Sequence, residues 1–507
     1  MNKKFEKIIM IILIFIAIFS IIINRPLTDL DEMWNYNAAR VISEGYIPYK
    51  DVSMITTPFY QFVMAFLLKI FPNEMFTFRI IIAIFWTAIF FLISEIMYLI
   101  TGEENISCIF TLIIYCICKE SICLDYNFFS LFLTLIILYL ELRKIKNNEC
   151  FTIDIKYNIL IGFLSGLIIC TKQSVGVTSA IIVILYNLIF VKEKKDFKNF
   201  IKIGLYRILG MLIPVIILFI YLALNSAIED FFDYAVFGIS TFTNKIKYKK
   251  LFESTKKEIR FLSRLMPISL LVNAIIIFTK KLFSDDEKLN IKTIFIYSFS
   301  IIIVMYPISD DIHFLIGSII PIMNILYVTF LLCKKIYDKI NFKKKKFLYK
   351  TVTLIVFLVL FAINIRNNFG EFLEYQSSRK CMNQEHYKYI PMDESYEERI
   401  INVKNFIDRN EKDGTKVYIL DSEAVLYTIP ANVYNKNYDL FLLGNLGKDG
   451  EYGQIKKIEN SNENAIYLVK KEEYGYNWQT PMNVINYIKI NLHKSGEIEL
   501  FDIYKNY

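Results

Sequence analysis

The sequence lacks the usual marks of a soluble enzyme. Its eight cysteines, spread over 507 residues, show no metal-ligand spacing. Cys116 and Cys118 form a C-x-C pair on an apolar segment, and most of the others also sit in apolar stretches. Free thiols are expected, with neither a disulfide framework nor a zinc site organising the chain. No glycine-rich phosphate loop is present, because GNLGKDG (residues 444–450) lacks the strand-to-helix setting such a loop requires. No internal repeat and no low-complexity tract occurs. No small-residue cleavage site follows the opening MNKKFEKIIMIILIFIAIFSIII, so it is expected to stay as an uncleaved first span. The net charge of +8 arises from 58 basic and 50 acidic residues, the basic ones clustered in short loops between apolar segments. That pattern speaks of membrane topology and against nucleic acid.

What is present is apolar sequence in quantity. The chain is 55% hydrophobic with mean hydropathy +0.39, and it holds 43 Phe and 34 Tyr. These values place it among polytopic membrane proteins. Segments long enough to cross lie near 6–23, 76–100, 105–122, 126–142, 157–174, 176–191, 201–224, 262–279, 291–308, 312–333 and 350–366. Residues 57–72 are shorter than the roughly 20 residues a span needs, and they carry Gln61 and Lys69 between prolines. If they lay in the interface as a juxtamembrane helix, the Lys-rich loops 143–156, 192–202, 280–292 and 334–350 would share the side of Lys3, Lys4 and Lys7. The positive-inside rule favours that arrangement. The expected fold class is therefore mostly α, with about eleven spans, a cytoplasmic N-terminus and a small C-terminal α/β domain outside the plasma membrane. The membrane domain covers 1–366, with a first external loop at 24–75 and a long external loop at 225–261; the α/β domain covers 371–507. In the latter, ERIINVKNFIDRN and VINYIKINL read as helices, while KVYILD, AIYLVKK and GEIELFDIYK read as strands.

This topology gathers polar residues on the external face. The first loop brings Asp29, Asp31, Glu32 and Asp51, with Trp34, Tyr36 and Tyr46 as interface anchors of an amphipathic helix lying on the membrane. Asp125 opens the fourth span, Lys172 and Gln173 end the fifth, and Asp310, Asp311 and His313 lie between the ninth and tenth. A carboxylate at such a surface suits a general base that takes the proton of an acceptor hydroxyl. A lysine at a helix end, at headgroup depth, suits a leaving phosphate. The long loop holds KIKYKK and Lys256–Lys257, which could hold an anionic headgroup. Arg207 lies near a cytoplasmic span end and is expected to snorkel, and the spans are largely uncharged at their centres.

One set of residues carries a family resemblance. Asp31-Glu32, Ala38-Ala39-Arg40, Gly45, Pro48-Tyr49, Asp51 and Pro58 resemble the first external loop of the GT-C glycosyltransferases. These are the polyprenyl-phosphate-sugar-dependent enzymes that include protein O-mannosyltransferases and aminoarabinose transferases. The resemblance covers roughly residues 1–366, and the tail is similar to extracytoplasmic α/β domains of some bacterial members. It implies transfer of a hexosyl-type sugar from a polyprenyl-phosphate carrier to an extracytoplasmic acceptor: an envelope glycan, a glycolipid or a protein. Asp31, Glu32 and Asp125 would be the catalytic acids. Lys172, Gln173, Asp310, Asp311 and His313 would hold the donor phosphate, and Arg40, Tyr49 and Asp51 would shape the acceptor loop. Family members place an acid in a second external loop, which Asp125 matches by position. Asp125 stands alone in D-Y-N rather than in a D-x-D or D-x-E pair, so neither a divalent metal nor another cofactor is expected. Blander roles stand beside these: a helix cap for Asp125, a pairing with Arg40 for Glu32, and snorkelling for Lys172. A transporter or lipid flippase is the alternative from a different class, and a non-catalytic sensor a third. The first would show ionisable residues at mid-membrane and broken helices in repeated halves.

Overall fold

A computed structural model describes residues 3–339, 366 and 382–506, apart from breaks at 26, 28–29, 148, 150–152, 192, 242–244, 280–281, 383, 393, 462 and 472–478. Asp29 and the expected span 350–366, all but its last residue, lie outside the described residues. The helices are α1 (Lys3–Ile23), α2 (Leu30–Ser43), α3 (Phe59–Ile70), α4 (Met75–Thr101), α5 (Glu104–Cys118), α6 (Tyr126–Lys146), α7 (Ile155–Ile169), α8 (Gln173–Leu185), α9 (Lys194–Leu224), the short α10 (Ile228–Phe231), α11 (Lys257–Phe278), α12 (Asp285–Ile302) and α13 (Asp311–Lys339). Among the described residues, six segments are helices long and apolar enough to cross a membrane: Met75–Thr101, Gln173–Phe190, Lys194–Leu224, Lys257–Phe278, Asp285–Met305 and Asp311–Lys335. Helices α1, α5, α6 and α7 coincide with four further expected spans. The 12 residues of α3 rise only about 18 Å, well short of the roughly 30 Å hydrocarbon core.

The described residues form two compact units, one of residues 1–22, 81–217 and 245–372, the other of 23–80, 218–244 and 373–507. The first is a helical bundle with a polar bolt that the sequence reading missed. Arg207 does not snorkel but is 1% exposed. Its guanidinium donates to Glu141 (2.6 Å), Asn158 Oδ1 (3.1 Å) and the Val183 carbonyl (2.7 Å), while Tyr297 donates its hydroxyl to the same carboxylate. An arginine presents a fork of donors that several helices can fill at once. Here α6, α7, α8, α9 and α12 are tied through one side chain, so burial costs less than leaving those groups unpaired. A single sequence shows Arg207 near a span end but cannot show that Glu141 meets it there.

In the second unit the tail builds a four-stranded sheet of β1 (Lys416–Ile419), β2 (Ala465–Lys470), β3 (His493–Ile498) and β4 (Phe501–Lys505), in the order β1-β2-β4-β3. Strands β1 and β2 run parallel, joined through a helix at Gly450–Glu459; the other pairs are antiparallel. Helix Glu394–Lys412 precedes β1 and helix Met482–Asn491 packs Val484, Ile485 and Ile488 into the core with Tyr467 and Val469. GEIELFDIYK, expected as one strand, contains the turn of the β3–β4 hairpin, with Glu499 at φ 47°. Helix α2 is the other departure. Trp34 and Tyr36 are buried rather than interfacial, and every residue from Glu32 to Val41 is buried. Tyr36 donates to the Asn73 carbonyl and meets His386 Nδ1 at 3.1 Å. Periodicity shows that a helix has an apolar face; it does not show whether lipid or protein covers the rest.

Candidate functional site

Each unit holds a cluster of buried polar side chains. In the bundle unit, Trp86 donates to the Cys123 carbonyl at 2.8 Å and so holds the turn that leads into α6. Asp125 caps that helix, its Oδ1 accepting the Asn127 backbone N–H at 2.8 Å. Its Oδ2 accepts from the Asn127 amide at 2.6 Å, and the oxygen of that amide accepts from Lys172 Nζ at 2.7 Å. Asp125 and Asn127 are buried. Lys172 precedes α8 at its N-cap position and lies 5.3 Å from the Tyr126 ring centroid; Gln173 is the first residue of α8. At the start of α13, Asp310 Oδ1 accepts both the His313 backbone N–H and His313 Nδ1 at 2.8 Å. Asp311 accepts from Ser254 at 3.1 Å and lies 3.9 Å from Lys256 Nζ.

These residues share one electrostatic environment. Burial pushes the Asp125 carboxyl above its ordinary value, against the opposing pull of His313, Asn127 and Lys172. Burial would also raise Asp310, but the hydrogen bond and charge of His313 and the backbone N–H groups of His313 and Ile312 outweigh it and hold it low. The capping role weighed for Asp125 is real, and the same carboxylate still reaches Lys172 through an amide. Asn127 is the residue not singled out for this role from sequence, although it stands two positions along in D-Y-N.

The loop-and-tail unit contains the first-loop residues. Asp31 is half-buried in the first turn of α2. Glu32 is fully buried and does not pair with Arg40. Arg79 of α4 grips it bidentately at 2.6 and 2.9 Å and donates through Nη1 to the carbonyls of Ile23 (3.3 Å) and Arg25 (2.7 Å). Arg79 was legible only as a lone cation in the apolar run MFTFRIII. Arg40 is buried and donates to Asn37 Oδ1 (2.9 and 3.1 Å), Asn432 Oδ1 (2.7 Å) and the Val433 carbonyl (3.1 Å). The Asn37 amide in turn donates to Asp439 at 2.8 Å. Burial lifts Asp439 to about 7, with Asn37 and Arg40 pulling the other way. Arg40 thus fastens α2 to the tail's 432–439 segment.

Tyr49 and Asp51 shape the loop. Tyr49 adopts φ 67° and donates to the Thr56 carbonyl at 2.7 Å, while Asp51 accepts the Ile47 N–H at 2.8 Å. The GNLGKDG stretch cradles an internal carboxylate: Lys448 N–H donates to Asp233 at 2.8 Å, and a Cβ on Gly447 would meet Asp233 Oδ2 at 2.8 Å. Among the described residues, no group of three His, Cys, Asp or Glu side chains could hold a metal ion.

No family model matches the sequence, and no curated protein matches it. Solved structures do. ArnT from Cupriavidus metallidurans in the apo state matches with a TM-score of 0.58 at 10% identity, covering 99% of this chain and 97% of that one. ArnT bound to undecaprenyl phosphate matches with the same TM-score and identity, over 99% of this chain and 98% of that one. The chain shares the fold of these ArnT structures. An oligosaccharyltransferase from Archaeoglobus fulgidus, tethered to an acceptor peptide with the NVT sequon, matches at TM-score 0.52 and 11% identity, over 92% of this chain and 69% of that one. At such identities the likeness concerns the fold. Within this fold, Asp125, Lys172, Asp310 and His313 come together in the bundle unit, with Gln173 and Asp311 next to them in sequence. Asp31, Glu32, Arg40, Tyr49 and Asp51 belong to the loop-and-tail unit.

Proposed function

We propose that this chain is an integral membrane glycosyltransferase that moves a sugar from a polyprenyl-phosphate carrier to a hydroxyl-bearing acceptor outside the cytoplasm. In this reading it sits in the plasma membrane with its N-terminus cytoplasmic and its C-terminal α/β domain external. The observation that carries the reading is the bundle cluster. The N-termini of α6, α8 and α13 meet there through Asp125, Lys172 and the Asp310–His313 pair. Helix N-termini carry partial positive charge and bind phosphates, and they disfavour a lysine unless an anion accompanies it. Lys172 at the N-cap of α8, held by Asn127 beside the Asp125 carboxylate, is positioned rather than snorkelling, and it is the cation proposed to take the phosphate. A resemblance of fold to ArnT, one structure of which holds undecaprenyl phosphate, supports the carrier class.

Asp31 is proposed as the general base. Its carboxylate takes the acceptor hydroxyl proton as that oxygen attacks the anomeric carbon, and the bond to the carrier phosphate breaks with its electron pair leaving on the phosphate. Lys172, flanked by Gln173, Asp311 and His313, offsets the charge that develops there. Glu32, spent on Arg79, is a positioning residue for α2 in this scheme rather than a second base. Asp125 sets Lys172 through Asn127. No step uses a metal ion.

The test is turnover of purified protein with labelled polyprenyl-phosphate sugars, scored as free polyprenyl phosphate released. Asp31→Asn is expected to lower turnover by about 10²–10⁴-fold, the usual worth of a general base. Lys172→Gln is expected to lower turnover and weaken carrier binding together. Undiminished turnover in Asp31→Asn removes the base assignment.

A further inference from the structure

The long loop of the bundle unit carries charge that the proposed reaction does not use. Between Lys245 and Arg264 there are eight lysines and arginines, offset only by Glu253 and Glu258. The stretch is fixed in place. Ile246 bridges to Ile308 and accepts the Ser309 N–H at 3.0 Å, and Tyr248 donates to the Ser263 carbonyl at 2.7 Å. Leu251 and Ile259 are buried against Met305, Phe314 and Leu315. One side of the segment thus belongs to the core, and Lys245, Lys247, Lys249, Lys250, Lys257 and Arg264 are left exposed on the other.

Their direction is set by α11. This helix is long and apolar enough to cross a membrane, and Ile268, Leu271, Ile275 and Phe278 form an exposed apolar stripe along it. Followed back at helical spacing, the stripe runs through Arg264 and the exposed Phe261 to Arg260 and Lys257. The face that sinks into hydrocarbon therefore becomes cationic where the helix leaves it. Basic side chains interleaved with an aromatic ring at that depth match the layer of lipid phosphates. A soluble polyanion cannot follow that face into the apolar layer. Arginine and lysine placed singly at a span end only snorkel; a fixed platform with this density of charge attracts anions collectively.

We propose that the Lys245–Arg264 platform is a docking surface for the phosphate headgroups of anionic bilayer lipids, with Lys257, Arg260 and Arg264 seated among them. Each such charge near an anionic surface contributes a several-fold preference, so removing three lowers it by an order of magnitude or more.

The full chain, purified in detergent, is equilibrated with vesicles of equal parts phosphatidylglycerol and phosphatidylcholine, repurified, and its retained lipid analysed. Wild-type protein is expected to retain phosphatidylglycerol in excess. Lys257→Gln/Arg260→Gln/Arg264→Gln is expected to lose that excess at least tenfold, while the charge-conserving Lys257→Arg/Arg260→Lys/Arg264→Lys keeps it. Competing inorganic phosphate should leave the excess in place. Equal retention of both lipids by wild type overturns the proposal, as does loss of the excess in the charge-conserving variant. Full displacement by inorganic phosphate assigns the platform to a soluble phosphate ligand and also overturns it.

Discussion

The buried Asp439 carboxyl makes the loop-and-tail unit sensitive to pH in a direction that can be worked out. An aspartate in an unfolded chain titrates near 3.9, whereas burial lifts Asp439 to about 7. The folded state therefore holds a proton that the unfolded state has released. Stability from this group is complete below about pH 4 and falls as pH rises, by about 1.4 kcal/mol per unit, until the folded carboxyl itself ionises near 7. The whole difference is on the order of 4 kcal/mol, of which about 2–3 kcal/mol lies between pH 5 and 8. The effect should be local, because Asp439 is held by Asn37 and so by the α2 contact with residues 432–439. Amide hydrogen exchange across 425–446 and 30–43 would read it. Asp439→Asn, which keeps an acceptor for Asn37, serves as the reference that cancels the intrinsic pH dependence of exchange. Relative to that variant, opening of the wild-type segment should rise about a hundredfold from pH 5 to pH 8. An identical pH response in the two proteins would refute the reasoning, since the carboxyl would then be ordinary.

Two further outcomes follow from the geometry. Arg79→Met leaves the Glu32 carboxylate buried without its bidentate partner, a loss of roughly 3–5 kcal/mol. Thermal unfolding should show Glu32→Met/Arg79→Met melting above the single variant yet below wild type, because the Ile23 and Arg25 carbonyls still lack their donor; a double variant no better than the single would show the pair is not coupled. Asn127→Asp sets a second carboxylate between Asp125 and Lys172. The like charge should raise the Asp125 carboxyl further and move the acid limb of the transfer pH profile up by about one unit or more, and an unmoved profile would separate Asp125 from the chemistry.

The parts of the fold legible in the sequence were those set by local pattern. Apolar runs placed α4, α8, α9, α11, α12 and α13, although α8 ends after 13 residues and α9 runs on to 31. The tail's strands at Lys416–Ile419 and Ala465–Lys470 showed as short apolar runs between polar segments. The candidate site was legible as a list of residues and much less as a network. Asp125, Lys172 and the Asp310–His313 pair stood out because charge beside a span is costly and therefore informative. Glu32 and Arg40 stood out for the same reason, but their partners are Arg79 at a separation of 47 and Asn432 at a separation of 392. Nothing local in the sequence encodes a pairing of that range. Asparagine was the residue whose role was hardest to read: Asn127 is expected with Asp125 on the external face, but an uncharged side chain common in turns gives no sign that it bridges an acid and a lysine.

Yet asparagine performs the same task in both units. Asn127 donates to Asp125 and accepts from Lys172; Asn37 donates to Asp439 and accepts from Arg40. A direct ion pair would draw the carboxyl down by one to three units and fix it as an anion. An amide in between transmits position but little charge, so burial wins and the carboxyl is raised, in direction for Asp125 and to about 7 for Asp439. The cation is likewise oriented by the amide oxygen, and Arg40 also reaches Glu44 at 3.4 Å. For Lys172 this sets a positive group beside the N-termini of α6 and α8, where a departing phosphate would meet it. For Arg40 it leaves donors for Asn432 and Val433, which is how the first loop and the tail come to be held as one piece. The amide spacer is thus the device that lets a buried acid and a buried base coexist at hydrogen-bonding range, each keeping the state its neighbours require.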